Sequence, residues 1–297
     1  MTVSAQTLTE LQEAAAATVP AFADVPPGPV EVTATSGTDP AAWHEVSRRY
    51  HRHGFALVEV TDVDLSAEHH LNLTRRLGLD APFVPPLYSM GGRVPSHVST
   101  ISASENATTP DADHPSFGST VGQALHTDGT LQPAGMVKAT VMSCRTPAAE
   151  GGHNGFFDAV SAFATLLESD PEAAIALTSP TALLRRADIN GCIDENLGPA
   201  FTVQGGRVVG RYCETNTDSW MYPEGEAGAN LRHAVELLRA MAREGHPTYR
   251  TERLKANQVV VFDNTRLSHS RAPYRDSGRI RRCLFRTLHL EHLPEVS

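Results

Sequence analysis

Short apolar runs bounded by turn residues recur along this chain without alternating with helices, and that pattern decides what it can fold into. The runs are Phe55–Val60, Val137–Cys144, 199–204, 207–213, 258–263 and 281–290, with Gly205-Gly206 marking a turn between the third and fourth. Segments rich in valine and phenylalanine between Gly, Pro and Asn read as strands. Helical periodicity is confined to a few stretches: Asp39-Pro40 to His53 (Trp43, Val46, Tyr50), a segment capped by Asp64 or Ser66 and stopped at Leu77-Gly78, about Ala159 to Leu167, and Ala229 to Arg243. A doubly wound sheet would need strands and helices in regular alternation. The expectation is therefore a mainly β fold with flanking helices, a β-sandwich or jelly roll.

At 297 residues with 40% hydrophobic content and no Gly/Ser or Pro-rich linker in the middle, one domain spanning 1–297 is expected. Residues 1–38, Ala-rich and then Pro-rich, read as a short helix and a loosely attached leading segment. Residues 84–124 lack periodicity and read as an active-site loop or lid. A formal net charge of −9 argues against a sequence-independent grip on nucleic acid. Cys144, Cys192, Cys213 and Cys283 have no C-x-x-C spacing, which points to reduced thiols rather than disulfides or a zinc knuckle. No apolar run approaches the roughly 18 residues of a membrane span, and the start lacks a secretory pattern. A soluble cytoplasmic protein, alone or as a homo-oligomer, is expected.

One tripeptide carries chemistry. His126-Thr127-Asp128 places a histidine and a carboxylate two residues apart, on one side of an extended chain. His269 follows 143 positions later (269 − 126), just after the strand 258–263. Two imidazoles and one carboxylate on one face of an octahedron leave the other positions open, as Fe(II) needs when it must bind a cosubstrate and dioxygen together. With 14 histidines in the chain, one His-x-Asp is expected by chance, and His289-Leu290-Glu291-His292 offers a competing spacing at the C-terminal end. On the last strand, Arg282, Leu284 and Arg286 share a face and Arg281, Cys283 and Phe285 the other. An inward arginine is costly unless it meets an acid, and a guanidinium suits a dicarboxylate. A solvated basic edge strand is the alternative.

Taken in order, Leu125-His126-Thr127-Asp128, Cys144-Arg145-Thr146-Pro147 leading to Gly151-Gly152, Phe157-Asp158-Ala159 with Phe163, Asp263-Asn264 ahead of His269, and Arg282 with Arg286 resemble the Fe(II)- and 2-oxoglutarate-dependent dioxygenases of the taurine dioxygenase (TauD/TfdA) and clavaminate synthase-like group, over roughly residues 40 to 290. The resemblance implies a double-stranded β-helix (jelly roll) core. It implies His126, Asp128 and His269 as iron ligands, Arg282 as the anchor for the distal carboxylate of 2-oxoglutarate, and Arg286 as a contact to an acidic group of the substrate. Dioxygen is the second cosubstrate, and hydroxylation of an unactivated C–H bond is the default outcome. Relatives usually carry Thr or Ser two positions after the Gly-Gly pair; here Asn154 stands there, and its NH2 can still donate to 2-oxoglutarate.

Two other classes fit parts of the pattern: a non-catalytic jelly-roll protein that binds a small molecule, and a zinc hydrolase using the same His, Asp and His. The hydrolase would leave Arg282 and Arg286 without a task. The substrate is expected to be a small polar acid, such as an amino acid or derivative, with the polar region 185–220 around it.

Overall fold

The computed structural model describes residues 5–35, 39–79, 81–89, 96–103, 118–189, 192–278 and 280–296. Two sheets face each other. The larger runs in the order Val30–Val32, Phe55–Val60, Gln258–Asp263, Ala139–Thr146, Cys283–His289 and Ser99–Ile101; the smaller in the order Tyr249–Glu252, Asn154–Asp158, Leu267–Arg271 and Gln123–His126. Neighbours are antiparallel except for the Val30–Val32 edge, which runs parallel to Phe55–Val60. This is the expected jelly roll, in which strands distant in sequence become neighbours.

Strand alternation sorts the larger sheet into two faces. Ala56, Val58, Val60, Val141, Val259 and Val261 pack outward against Val46 and Tyr50 of helix α2 (Pro40–His53) and Leu73 of helix α3 (Ala67–Arg76), the second and third helices of the chain. Phe55, Met142, Cys144, Val260, Phe262 and Leu284 point inward onto Phe156 and Leu267 of the smaller sheet. Each such side chain contributes roughly 1.5–3 kcal/mol on burial. Helix starts follow the sequence: Asp39 accepts the Ala41 N–H (3.0 Å), and Ser66 rather than Asp64 caps α3 by accepting from His69 N–H (3.1 Å). Gly54, at φ 69, turns the chain from α2 into the next strand.

The leading segment is packed rather than loose over its described part. Helix α1 (Ala5–Ala16) buries Leu11, Ala14 and Ala15 in the cluster that holds Phe163 and Leu166 of helix α4 (Ala159–Ser169), and the Ala21 N–H donates to the buried Asp158 carboxylate (2.7 Å). Alanines too small to announce a core in sequence suffice for close helix packing. Of the expected loop 84–124, residues 90–95 and 104–117 lie outside the described residues; the rest contains a short 3-10 turn, Pro86–Ser89, and the edge strand Ser99–Ile101. No helix of the described residues is long and apolar enough to cross a membrane.

A chain of polar side chains crosses the interface between α3 and the larger sheet. His70 bonds Ser143 Oγ through Nδ1 (2.6 Å) and Thr287 Oγ1 through Nε2 (3.0 Å), and burial pushes its pKa down from 6.5 to about 3. The folded protein thus refuses a proton that the unfolded chain accepts below about pH 6.5, so this contribution is complete above that pH and declines as the pH falls toward 3. Between pH 7.5 and pH 5 the His70 contribution should fall by about 2 kcal/mol, at about 1.4 kcal/mol per pH unit below 6.5. Urea melts of His70→Gln should show a shallower acid loss than wild type; identical pH dependence would contradict the assignment.

Candidate active site

The strands Gln123–His126 and Leu267–Arg271 are neighbours, and His126 pairs with His269 in register. Their rings lie 4.2 Å apart, centroid to centroid. With Asp128 they offer three ligand atoms within 4.8 Å of one another, all three residues buried. The sequence-expected triad therefore assembles. His289 and His292 do not join it: His289 bonds Thr287 Oγ1 (2.9 Å), and His292 Nδ1 bonds the Tyr50 hydroxyl (2.9 Å).

Each member is held in place. Asn264 accepts the Asp128 N–H (2.7 Å) and donates to the carbonyls of Asp128 (3.2 Å) and Val137 (3.0 Å), pinning the turn after the tripeptide. Thr127, which points away, is gripped by the buried Arg185 through its hydroxyl (3.1 Å) and carbonyl (2.9 Å). His126 Nδ1 donates to the Ala124 carbonyl (3.0 Å), which leaves Nε2 as the lone-pair nitrogen. His269 packs on Phe262, ring centroids 4.9 Å apart.

Electrostatics leave the triad ready for a cation. Burial would raise the Asp128 pKa, but Arg286, His269 and His126 outweigh it and hold the carboxyl at about 2. Burial pushes His126 down to about 3, helped by His269, and His269 down to about 4. Two neutral imidazoles and one carboxylate are the deprotonated donors that a divalent metal requires. Asp128 Oδ1 accepts from Arg286 Nη1 (2.7 Å) and Oδ2 from Thr140 (2.8 Å), while Arg286 Nη2 donates to the Tyr88 hydroxyl (2.6 Å). Sequence patterning puts Arg286 on one face with Arg282 and Leu284 but gives no sign that Asp128 meets it.

Arg282 lies on the same inner face and is as buried as Arg286, yet its setting differs. Its guanidinium sits over the Tyr274 ring at 5.0 Å, its Nη1 has no hydrogen-bond partner, and among the described residues no carboxylate lies within salt-bridge distance. Asn154, Gly151, Gly152 and Cys144 line the same small cavity. Both glycines are required there: each has φ near 70, a Cβ on Gly151 would fall 2.3 Å from the Pro273 carbonyl, and one on Gly152 would crowd Tyr274 and Arg282. A buried guanidinium lacking its anion is the arrangement that a carboxylate ligand completes.

The residues of region 185–220 are mostly scaffold. Arg185 backs Thr127, Arg211 is bonded to the carbonyls of Pro199 and Leu183, and Arg186 pairs with Glu195 at the surface.

The sequence matches the family described as "Taurine catabolism dioxygenase TauD, TfdA family" over residues 20–288. The chain belongs to this family. It is 40% identical over 243 residues to a uridine-5′-phosphate dioxygenase of an Amycolatopsis species, covering 80% of this chain and 86% of the relative. A uridine-5′-phosphate dioxygenase of a Streptomyces species is 34% identical over 245 residues, covering 80% and 85%. Solved structures share the fold: a taurine dioxygenase from Burkholderia xenovorans (TM-score 0.54, 17% identity, 87% of this chain and 86% of that one) and an asparagine oxygenase complexed with Fe(II), hydroxyasparagine and succinate (TM-score 0.55, 14% identity, 97% and 92%). This protein is an iron- and 2-oxoglutarate-dependent dioxygenase, which sets aside the zinc hydrolase and the non-catalytic binder.

The dioxygenase should depend on the Asn264 clamp. Asn264→Ala leaves one buried N–H and two carbonyls without partners and should cost about 3 kcal/mol of stability. Thermal or urea unfolding reads this directly, and a loss below about 0.5 kcal/mol would show that the clamp is not structural.

Proposed function

We propose that this dioxygenase oxidises a C–H bond of uridine 5′-phosphate or a closely related nucleoside 5′-phosphate, with Fe(II) held by His126, Asp128 and His269. The observation that carries the substrate class is the 40% identity over 80% of the chain to a uridine-5′-phosphate dioxygenase. The acidic group expected from sequence is retained as a phosphate, and the amino acid offered as an example gives way to a nucleotide.

When bound together, iron, 2-oxoglutarate and dioxygen supply the oxidation of an unactivated C–H bond. The chain's own residues do the positioning. Arg282, with Asn154 beside it, takes the distal carboxylate of 2-oxoglutarate, satisfying a guanidinium that has no carboxylate partner among the described residues. Phe262, Phe156 and Leu267 form an apolar wall behind His269 that excludes water from the ligand set. Arg286 keeps Asp128 ionised and meets the substrate phosphate from the same position, two strand repeats from Arg282, about 13 Å along the chain.

With Fe(II), 2-oxoglutarate and air, uridine 5′-phosphate should raise succinate formation far above the basal rate, while uridine and asparagine should not; stimulation by asparagine alone would overturn the nucleotide reading. Arg282→Ala should raise the apparent 2-oxoglutarate constant about 30-fold or more, since truncating one partner of such a pair costs on the order of 2–5 kcal/mol. Arg286→Lys should raise the KM for uridine 5′-phosphate while leaving the anaerobic Fe(II)–2-oxoglutarate charge-transfer band as in wild type; loss of that band with no change in KM would assign Arg286 to Asp128 alone.

A further inference from the structure

The register between the two histidine strands contains an irregularity beside the triad. His269 pairs with His126 and Arg271 with Gln123, so two steps on one strand oppose three on the other. On a regular strand, residues 123 and 126 would point to opposite faces. The extra residue of this bulge turns Gln123 back toward the side that His126 occupies, which is how bulges beside active sites re-aim a side chain. Gln123 Nε2 then lies 3.2 Å from His126 Nε2.

The chemistry of this contact is fixed by its partners. His126 Nδ1 faces a carbonyl, which can only accept, so Nδ1 carries the proton. A carboxamide NH2 can only donate, so Gln123 gives a hydrogen bond to the Nε2 lone pair. That lone pair is the one that His126 would offer a metal, and it cannot serve both. Gln123 is only partly buried, so its side chain has room to turn.

We propose that Gln123 is a positioning residue with two stations: it caps His126 Nε2 in the metal-free protein and, once the metal takes that nitrogen, gives its NH2 to the oxygen ligands that 2-oxoglutarate brings beside it. This rests on the reading that His126, Asp128 and His269 hold the metal. Two consequences of opposite sign follow. Removing the amide removes a competitor for His126 and so favours the metal, whereas it deprives the metal-bound cosubstrate of a donor and so disfavours 2-oxoglutarate. A residue that merely supported the fold would weaken both.

The test uses Gln123→Leu, close in volume, and Gln123→Asn, which keeps the amide but shortens its reach. Calorimetric titration of the metal-free protein with Mn(II), without 2-oxoglutarate, should show binding roughly 3- to 10-fold tighter in both variants, the scale of one hydrogen bond. Anaerobic titration of the Fe(II)-loaded variants with 2-oxoglutarate, followed by the visible charge-transfer band, should show binding weaker by a similar factor. Mn(II) binding unchanged or weakened, or 2-oxoglutarate binding unchanged, overturns the two-station role while leaving the metal site intact. Wild-type protein that binds no Mn(II) would overturn the metal-site reading, and this inference with it.

Discussion

A single buried carboxylate organises this molecule. Removing an ionised carboxyl from water costs several kcal/mol unless it is paired and hydrogen-bonded, and Asp128 is compensated by groups drawn from across the sequence. Arg286 comes from the last strand of the larger sheet, Thr140 from the strand beside it, and His269 from the smaller sheet. Asn264, between the two sheets in sequence, fixes the backbone around it. None of these partners except Thr140 is close to Asp128 in sequence. The fold is therefore the device that makes the charge tolerable, and the site exists only when both sheets are in register.

The same inner face carries two arginines with opposite accounts. Arg286 has its acid in Asp128, whereas Arg282, equally buried, rests on the Tyr274 ring with Nη1 unpartnered. Nature rarely leaves a guanidinium buried without an anion. That asymmetry between residues four apart, one just before the last strand and one within it, supports a cosubstrate carboxylate at Arg282 on the described residues alone. Gly151 and Gly152 keep the approach open, because a side chain at either would meet the Pro273 carbonyl or Tyr274.

Much of this was legible in the sequence, for identifiable reasons. Short apolar runs, helical periodicity and capping residues located Pro40–His53, Phe55–Val60 and Gln258–Asp263, since there the local signal and the tertiary demand agree. Strand alternation put Arg282 and Arg286 on one face, and the structure shows both buried there. Other features were hidden. The strand Asn154–Asp158, short and wedged between the Gly-Gly turn and helix α4, carries no separate signal, and α1 packs through alanines that carry little pattern. Gln123 was invisible because strand periodicity assigns it the wrong face, and only the bulge opposite His269 and Arg271 returns it to the site. The Arg286–Asp128 pair spans 158 positions, a separation that no local signal reports.

The central claim is that His126, Asp128 and His269 form one site for one Fe(II) that chelates 2-oxoglutarate. Anaerobic titration of the metal-free protein with Fe(II) in the presence of 2-oxoglutarate measures it most directly, through the visible charge-transfer band. The band should saturate at about one equivalent per chain and be absent from Asp128→Ala and His269→Ala variants that remain folded. A band that persists in either variant, or full turnover with zinc alone, would contradict the account.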